Sequence, residues 1–332
     1  MKLSICIPTY NRVKYLESTI SEIIKQIGDK KDIEIIISDN ASTDNTKEIV
    51  EMYQYKYNYI IYHCAETNMG ADYNYLKVIE LATGDFCWFM GSDDIILNNS
   101  LNNILKYIDK YPDVAGITVN YEGYNISFDK KIKVRPPVKY NKNKLYDNSE
   151  ICFSELGHFF GYISAQIVNR IIWNEALKNS NYKQYMNAYV HLYIIGQMLT
   201  ISSRWLYVND KSVGWRSGND SFLSSGRYNR LKIDVFEYER IASDIFSKNS
   251  KTYLSVLTNV CKSYVFSQIL SAKVDNIPSS FFLKAFVICF KIYWRIPIFW
   301  LKIVPILITP SIILRLIRTI KLKTINTFMV TN

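Results

Sequence analysis

The 332-residue sequence lacks the marks of a secreted, zinc-binding or membrane-spanning protein. Its six cysteines are scattered, and none has the C-x-x-C spacing of a structural zinc site. We therefore expect free thiols in a reducing compartment. The N-terminus has no apolar stretch long enough for a signal peptide, which predicts a cytoplasmic protein. The longest uncharged run of the apolar C-terminal region, residues 303–314, has 12 residues, whereas about 20 are needed to cross a bilayer.

Acidic residues are also absent from residues 276–332, which contribute most of the net charge of +10. Cations there are interspersed with Trp, Phe and Ile, a pattern typical of segments that lie in a membrane interface. A helical hairpin packed on the protein's own core is the alternative. A nucleic-acid-binding arm is not expected, because such arms are rarely this apolar. The cations of this region are Lys284, Lys291, Arg295, Lys302, Arg315, Arg318, Lys321 and Lys323.

The first 120 residues alternate between short apolar runs and longer segments of helical periodicity. This alternation is typical of crossover units, and it predicts an α/β fold with a mainly parallel sheet. The predicted strands are residues 3–7, 33–38, 59–63 and 86–90, and the predicted helices are 13–27, 43–53 and 71–82.

Polar clusters follow all four predicted strands. They read "PTYNR", "DNAST", "NMG" and "GSDD" in chain order. Because the carboxyl ends of parallel strands share one edge of a sheet, we expect the four clusters to form one site. Asp93 and Asp94 are adjacent in the last cluster, and their mutual repulsion predicts a cation or a hydrogen-bonding ligand beside them. The alternative is that the pair caps the helix that follows.

Four motifs in this order, "CIPTYNR", "ISDNASTDNT", "TNMG" and "LATGDFCWFMGSDD", resemble the nucleotide-sugar-binding half of the family 2 glycosyltransferases. Among these, "NMGADYNYL" and "WFMGSDD" are similar to the branch of abequosyltransferase-like enzymes of O-antigen assembly. The resemblance covers residues 1–120 well and weakens beyond them. The family's Ala-Arg-Asn helix signature is replaced by Asp72-Tyr73-Asn74, so no arginine contact with the base is implied.

The resemblance implies a GT-A-type, Rossmann-like sheet flanked by helices, with a C-terminal helical membrane-associated extension. Residues 1–120 would bind the donor, 121–227 the acceptor, and 228–332 would form the extension. The implied activity is inverting transfer from a nucleoside diphosphate sugar to a lipid-linked oligosaccharide at the cytoplasmic membrane face. A sugar nucleotidyltransferase is one alternative, but it needs a glycine-rich loop that "PTYNRVKYL" lacks. A non-catalytic membrane-associated scaffold is the other.

A divalent cation suits the implied chemistry, because it neutralises the charge that develops on the leaving diphosphate. Mn²⁺ and Mg²⁺ prefer carboxylate oxygens, and one or two aspartates suffice when phosphates and waters supply the rest. By the resemblance, Asp94 would bind the metal, while Asp93 would contact a ribose hydroxyl or a metal-bound water.

The resemblance also implies a set of donor-binding residues. Asp39 would accept a hydrogen bond from the base, Tyr10 would stack on it, and Arg216 would reach the diphosphate from a closing loop. For several of these a structural role is the alternative: a strand-to-helix turn for "PTYN", a helix cap for Asn40, and a surface turn for the loop at 214–222. The full set is Pro8, Thr9, Tyr10, Asn11, Arg12, Asp39, Asn40, Asn68, Gly70, Asn74, Asp93, Arg216, Asn219 and Ser221.

The general base is the least defined of the catalytic groups. The Glu-Asp pair that usually supplies it is missing at the matching distance, and His191 stands in its place in "YMNAYVHLYIIGQML". A histidine with a pKa near neutrality is a competent base. The alternatives are that His191 is a buried core residue, or that His158 in "GHFFGYISAQIVNR" takes the role.

Overall fold

The computed structural model describes residues 1–138, 141–275 and 277–316. The chain divides into two compact units, the first covering Met1–Asp220 and the second beginning at Ser221. The predicted donor half, 1–120, lies within the first unit, whereas the predicted acceptor half, 121–227, continues past residue 220 into the second. Arg318, Lys321 and Lys323 lie outside the described residues.

The first unit begins with four parallel strands in the spatial order β3-β2-β1-β4. All four predicted strands are present, because β1, β2 and β4 are buried along their whole length and therefore read as continuous apolar runs. These strands are β1 (Leu3–Thr9), β2 (Ile33–Asp39), β3 (Ile60–Cys64) and β4 (Phe86–Phe89). The helices between them are α1 (Val13–Ile27), α2 (Thr46–Lys56) and α3 (Ala71–Glu80).

Beyond β4 the sheet becomes mixed, which corrects the expectation of a mainly parallel sheet. Strand β9 (Gln166–Asn169) runs antiparallel to β4 on one side and to β6 (Gly116–Tyr124) on the other. Strand β6 in turn pairs in parallel with β10 (Trp205–Arg216). Because β9 is antiparallel to both of its neighbours, β4 and β6 run in the same direction, and β10 runs parallel to β6. The carboxyl ends of β1, β2, β4, β6 and β10 therefore all lie at one edge of the sheet. We call this the strand-end edge.

The remaining elements of the first unit are short strands and helices around this sheet. Strands β5 and β8 pair with β10, and β7 pairs with β6, all antiparallel. They are β5 (Ile95–Ile96), β7 (Lys131–Ile132) and β8 (Lys144–Tyr146), with helices α4 (Ser100–Lys110), α5 (Ser149–Leu156), α6 (Arg170–Asn179) and α7 (Val190–Ile201).

The core of the first unit is built from aliphatic side chains of the sheet and the helices on it. Helix α1 buries Leu16, Ile20, Ile23 and Ile27, whose spacing places them on one face. Each fully buried side chain of this size contributes about 1.5–3 kcal/mol relative to an exposed one. This packing fixes the strands whose ends carry the polar clusters.

The second unit is helical, with α8 (Arg227–Phe246), α9 (Lys251–Val260), α10 (Phe266–Val274), α11 (Ser279–Tyr293) and α12 (Val304–Ile308). A π-helical turn, Cys261–Val265, joins α9 to α10. The buried carboxylate of Asp234 accepts a hydrogen bond from Arg230 at 2.6 Å and another from Gln268. Within the described ranges, no helix is long and apolar enough to span a bilayer.

Candidate active site

Asp94 is fixed at the strand-end edge by three donors. Its Oδ2 accepts hydrogen bonds from the Tyr162 hydroxyl at 2.8 Å and the Ser164 hydroxyl at 2.5 Å, and its Oδ1 accepts one from the Arg216 backbone amide at 3.0 Å. The residue is 3% exposed. The following helix, α4, begins at Ser100 with Asn99 as its N-cap, so the alternative that the pair caps this helix is wrong.

Asp93 is the more accessible carboxylate of the pair, with 23% of its side chain exposed. Its Oδ2 accepts a hydrogen bond from the Asn219 side-chain amide at 2.6 Å, and Arg12 Nη1 lies 3.8 Å from the same oxygen. Burial raises the pKa of Asp93, although the charge of Arg12 opposes this shift. Burial and the charge of Asp93 together raise the pKa of Asp94 to about 7.

These two carboxylates fit a divalent cation. Both offer hard oxygen ligands, and the positive charge of a cation beside them would oppose the rise in pKa that burial causes at both carboxylates and that the charge of Asp93 adds at Asp94. Among the described residues, no cluster of three or more His, Cys, Asp and Glu side chains could hold a metal unaided. A cation here would therefore depend on phosphate oxygens and waters for its other ligands.

Asp39 lies at the end of β2 and organises the loop that follows. Its Oδ1 accepts hydrogen bonds from the Ser42 backbone amide at 2.9 Å and the Ser42 hydroxyl at 2.6 Å. Its Oδ2 accepts one from the Tyr62 hydroxyl at 2.9 Å. The pKa of Tyr62 is raised mainly by burial and, to a smaller extent, by its hydrogen bond to Asp39. Both carboxylate oxygens of Asp39 therefore have partners within the chain.

The loop after β1 is joined to the loop after β2. The Asn11 backbone amide donates to the Ser42 hydroxyl at 2.8 Å, and Asn11 Oδ1 accepts from the Thr43 amide at 2.7 Å. Asn11 has φ of 51°, a conformation that asparagine tolerates better than most residues. Tyr10 beside it is 40% exposed, so its ring is available to a ligand.

Three of the predicted donor-binding residues tie strand ends and loops together. Asn74 donates to the backbone carbonyls of Thr9 at 3.1 Å and Ser38 at 2.9 Å, which joins the ends of β1 and β2. Asn40 donates to Asn68 Oδ1 at 2.8 Å and thereby holds the loop before α3. The alternative that Asn40 caps α2 is wrong, because that helix begins at Thr46 with Asn45 as its N-cap.

Gly70 and the end of β1 show two further features of the edge. Gly70 has φ of 89°, which glycine adopts without strain, and its carbonyl accepts a hydrogen bond from Asn40. Pro8 and Thr9 are the last residues of β1. The buried Thr9 hydroxyl has no hydrogen-bond partner within the described part of the chain.

Asn219 connects the charged side chains of Arg12 and Asp93. Its side-chain amide nitrogen donates to Asp93, while its side-chain oxygen and its backbone carbonyl accept from Arg12. Arg216 is 6% exposed, and its guanidinium donates to the backbone carbonyls of Asp93 at 2.9 Å and Ile126 at 2.7 Å. Ser221 belongs to the second unit and is described apart from this site.

His191 lies on α7, in the core. It is 1% exposed, its Nε2 lies 3.2 Å from the Gly161 carbonyl oxygen, and its ring meets Tyr75 edge-on at 5.0 Å. Burial lowers the pKa of His191 to about 4, with the contact to Gly161 opposing. The expectation of a pKa near neutrality is therefore wrong. His158, the alternative base, also has a buried Nδ1.

Tyr162 and Ser164, the two hydroxyl donors to Asp94, were not predicted from the sequence. They lie 68 and 70 residues after Asp94, in the segment between α5 and β9. Their hydroxyls reach the same oxygen, and Ser164 Oγ also accepts from the Gly91 amide at 2.9 Å. Ser164 lies in a single 3-10 turn, Ile163–Ala165, and Tyr162 immediately precedes it, so no strand-like alternation in the sequence marks the two residues.

Comparison with known proteins identifies the family. The family description "Glycosyl transferase family 2" matches residues 4–165. The abequosyltransferase RfbV of Salmonella typhimurium is 35% identical over 263 residues, which cover 75% of this chain and 77% of RfbV. The GalNAc(5)-diNAcBac-PP-undecaprenol beta-1,3-glucosyltransferase of Campylobacter jejuni is 29% identical over 196 residues, 57% of this chain and 60% of the relative.

A solved structure of another protein has a similar fold. Residues 1–349 of Staphylococcus aureus TarS, in complex with UDP-GlcNAc, superpose with a TM-score of 0.60 at 17% identity. The superposition covers 86% of this chain and 84% of that one. The mixed α/β sheet with its strand-end edge is therefore a GT-A-like fold, and the chain belongs to glycosyltransferase family 2.

Proposed function

We propose that the protein is an inverting, metal-dependent enzyme that transfers a sugar from a nucleoside diphosphate sugar to a lipid-linked oligosaccharide. The observation that carries this proposal is the pair Asp93 and Asp94, two adjacent carboxylates with raised pKa values at the edge where ligands of such sheets bind. The relatives support the substrate classes, since one is a transferase of abequose and another acts on an undecaprenol-linked saccharide.

The donor would lie along the strand-end edge. Its base would stack on the exposed ring of Tyr10 near Asp39, at the ends of β1 and β2. Its diphosphate would approach Asp93, where Arg12 supplies a positive charge 3.8 Å from the carboxylate. The Thr9 hydroxyl is buried without a partner in the described chain, so it would gain one from the donor only after a rearrangement at the end of β1.

The Asp93–Asp94 pair would hold Mn²⁺ or Mg²⁺. When bound, this cation neutralises the charge that appears on the leaving nucleoside diphosphate. The chain's own contribution is orientation, since Asp94 is fixed by Tyr162, Ser164 and the Arg216 amide. A carboxylate held by three donors keeps its direction when the ligand arrives, which lowers the cost of reorganisation.

The proton of the acceptor hydroxyl needs a base. The assignment of His191 to this role stays a prediction, and the contacts of α7 do not support it. A base must come within about 2.6–3.2 Å of the hydroxyl it deprotonates, or reach it through one water. His191 is 1% exposed, so an acceptor would reach it only after a rearrangement of α7 or its neighbours.

The acceptor is proposed to be presented at the cytoplasmic face of the membrane. Helix α11 supports this with an outer stripe of exposed apolar side chains, Leu283, Val287, Phe290 and Trp294. Their spacing places them on one helical face, next in sequence to cations at positions 284, 291 and 295. Apolar and cationic groups together suit an anionic lipid surface, where the rings and aliphatic groups enter the headgroup region.

The proposed function is tested by a transfer assay with a panel of nucleoside diphosphate sugars. The acceptors are undecaprenyl-diphosphate-linked saccharides in vesicles, and the product is a lipid-linked saccharide extended by one sugar of inverted anomeric configuration. We expect transfer from at least one donor with Mn²⁺ and none with EDTA. Cleavage of donor with retained configuration, or no transfer from any donor, would contradict the proposal.

A further inference from the structure

Arg216, at the end of β10, makes three hydrogen bonds to two other segments of the first unit. Its backbone amide donates to Asp94 Oδ1 at 3.0 Å, and its Nε donates to the Asp93 carbonyl at 2.9 Å. Its Nη1 donates to the Ile126 carbonyl at 2.7 Å. The residue is 6% exposed. The guanidinium is thus bonded to the backbone of the turn that carries the aspartate pair and to the backbone of the turn between β6 and β7.

Two aromatic rings hold the guanidinium in place. Its central carbon lies 4.8 Å from the Tyr15 ring centroid and 4.7 Å from that of Phe128. Phe128 is itself stacked on Tyr124, with the ring centroids 4.1 Å apart. A buried guanidinium between two ring faces gains cation–π attraction and loses the freedom to swing toward a ligand.

The turn that carries Phe128 is closed by its own hydrogen bonds. Asn125 donates to the Asp129 carboxylate at 2.7 Å, and Asn125 Oδ1 accepts from the Lys130 amide at 3.1 Å. Phe128 has φ of 63°, a conformation that is uncommon for a bulky residue and requires support from its surroundings. We call residues 125–130, with the ring of Phe128 on Arg216, the brace.

We infer that Arg216 is a positioning residue that fixes the orientation of Asp93 and Asp94, and that the brace holds it there. This inference rests on the proposed function and revises the expectation that Arg216 contacts the diphosphate. The diphosphate would then meet Arg12, whose side chain is 18% exposed and lies 3.8 Å from the Asp93 carboxylate. Arg216 would act on the donor only through the aspartate pair.

The test measures binding of nucleoside diphosphates, with and without Mn²⁺, by isothermal titration. The panel comprises uridine, cytidine, guanosine, adenosine and thymidine diphosphates. The variants are Arg216→Lys, Phe128→Leu, their double mutant, and Phe128→Tyr, which keeps the ring. Arg204→Lys is the matched control, because Arg204 precedes the same strand and pairs with surface aspartates. Thermal melting of each variant confirms that it is folded.

If Arg216 positions the pair, Phe128→Leu and Arg216→Lys each weaken Mn²⁺-dependent binding by about 10- to 100-fold, as loss of a ligand-orienting partner does. The double mutant then binds the nucleotide no more weakly than the single mutant with the lower affinity, because both changes remove the same interaction. Phe128→Tyr and Arg204→Lys bind as the wild type does. Metal-free binding is unchanged in all variants.

Two results would overturn the inference. Wild-type binding by Phe128→Leu, together with weaker binding by Arg216→Lys both with and without Mn²⁺, would show a direct phosphate contact and leave the proposed function intact. Failure of the wild type to bind any nucleoside diphosphate with Mn²⁺ would instead overturn the proposed function and the brace with it. The wild-type titration therefore tests the proposed function, and the comparison of Phe128→Leu with Phe128→Tyr tests the role of the brace.

Discussion

The strand-end edge of the first unit and the outer stripe of α11 in the second unit are opposite departures from an ordinary protein surface. At the edge, the side chains of Asp39, Asn74 and Asp94 are buried, and each is hydrogen-bonded to hydroxyl or backbone groups of the chain. On the stripe, Leu283 and Trp294 are exposed. Buried polar groups and exposed apolar groups are the informative exceptions to the usual distribution. The first indicates a polar ligand, and the second indicates an apolar surface.

The two regions also differ in how rigid they need to be. At the edge, almost every polar group has a partner in the chain, so a donor would meet a preformed arrangement and change it little. The stripe needs only an amphipathic face, because attraction to a membrane depends on buried area and charge rather than on fixed geometry. Single substitutions should therefore be severe at the edge and mild on the stripe.

The largest effect is expected for Asp94→Asn. The substitution removes a charge from the proposed metal site, and we expect turnover to fall by about 10²- to 10³-fold, the range for loss of one electrostatic group at a reacting centre. The measurement is the initial rate of nucleoside diphosphate release with Mn²⁺. Asp109→Asn is the control, because Asp109 only pairs with Lys2 at the surface. Full activity of Asp94→Asn would contradict the assignment.

The next effect concerns His191 and the stability of the first unit. Its pKa is about 4 when folded and 6.5 when exposed, so the unfolded chain binds a proton between these values while the folded chain does not. The contribution of His191 to the free energy of unfolding is therefore highest above pH 6.5 and should fall by about 3 kcal/mol as the pH drops to 4, whereas the raised pKa of Asp94 acts in the opposite direction. Urea unfolding of the wild type and of His191→Gln at intervals between pH 7.5 and 4 isolates the His191 contribution as the difference between the two.

Variants of His191 also test whether this residue is the general base. His191→Gln should lose this part of the pH dependence, whereas His63→Gln, a change on β3, should retain it. If His191 is instead the general base, His191→Ala lowers turnover by about 10²- to 10⁴-fold and leaves donor affinity unchanged. A core histidine lowers stability, turnover and donor binding together.

A smaller effect is expected for Asn74→Ala. Two buried carbonyls, those of Thr9 and Ser38, would lose a donor, and the free energy of unfolding should fall by about 1–3 kcal/mol. Asn102→Ala, at an exposed position of α4, is the control and should stay within about 0.5 kcal/mol of the wild type. Loss of donor affinity at unchanged stability would identify Asn74 as a ligand contact instead.

The smallest effect is expected for a cation next to the stripe. Lys284→Ala should weaken binding to phosphatidylserine-containing vesicles by about 1 kcal/mol, the contribution of one cation near an anionic surface. Raising the salt concentration should weaken binding only in part, because the apolar contribution is not screened. Lys47→Ala on α2 is the control. Equal sedimentation with neutral and anionic vesicles would contradict the role of the cations.

The sequence predicts the first half of the fold well and the second half poorly, for a physical reason. Strands buried on both faces read as apolar runs, and polar clusters after them mark the edge. The direction of a strand leaves no such mark, so the antiparallel insertion of β9 between β4 and β6 could not be predicted. That insertion brings Tyr162 and Ser164 to Asp94.

The residues of the candidate site could likewise be predicted from the sequence only in part. Asp93 and Asp94 are recognisable because adjacent carboxylates are costly wherever they occur. The burial of His191 depends on what packs around α7, although that helix is apolar on all sides, which is itself a signal of burial. Arg216 looked like a phosphate ligand in its glycine-containing loop, and only the positions of Tyr15 and Phe128 reveal that it is held inside.

We propose that the Asp93–Asp94 pair binds a nucleoside diphosphate through a divalent cation. Isothermal titration of the wild type and Asp94→Asn with the five nucleoside diphosphates tests it most directly, in Mn²⁺ and in EDTA. We expect the wild type to bind at least one nucleotide in Mn²⁺, and we expect at least tenfold weaker binding in EDTA or in Asp94→Asn. Equal affinity in all of these conditions, or no binding at all, would contradict it.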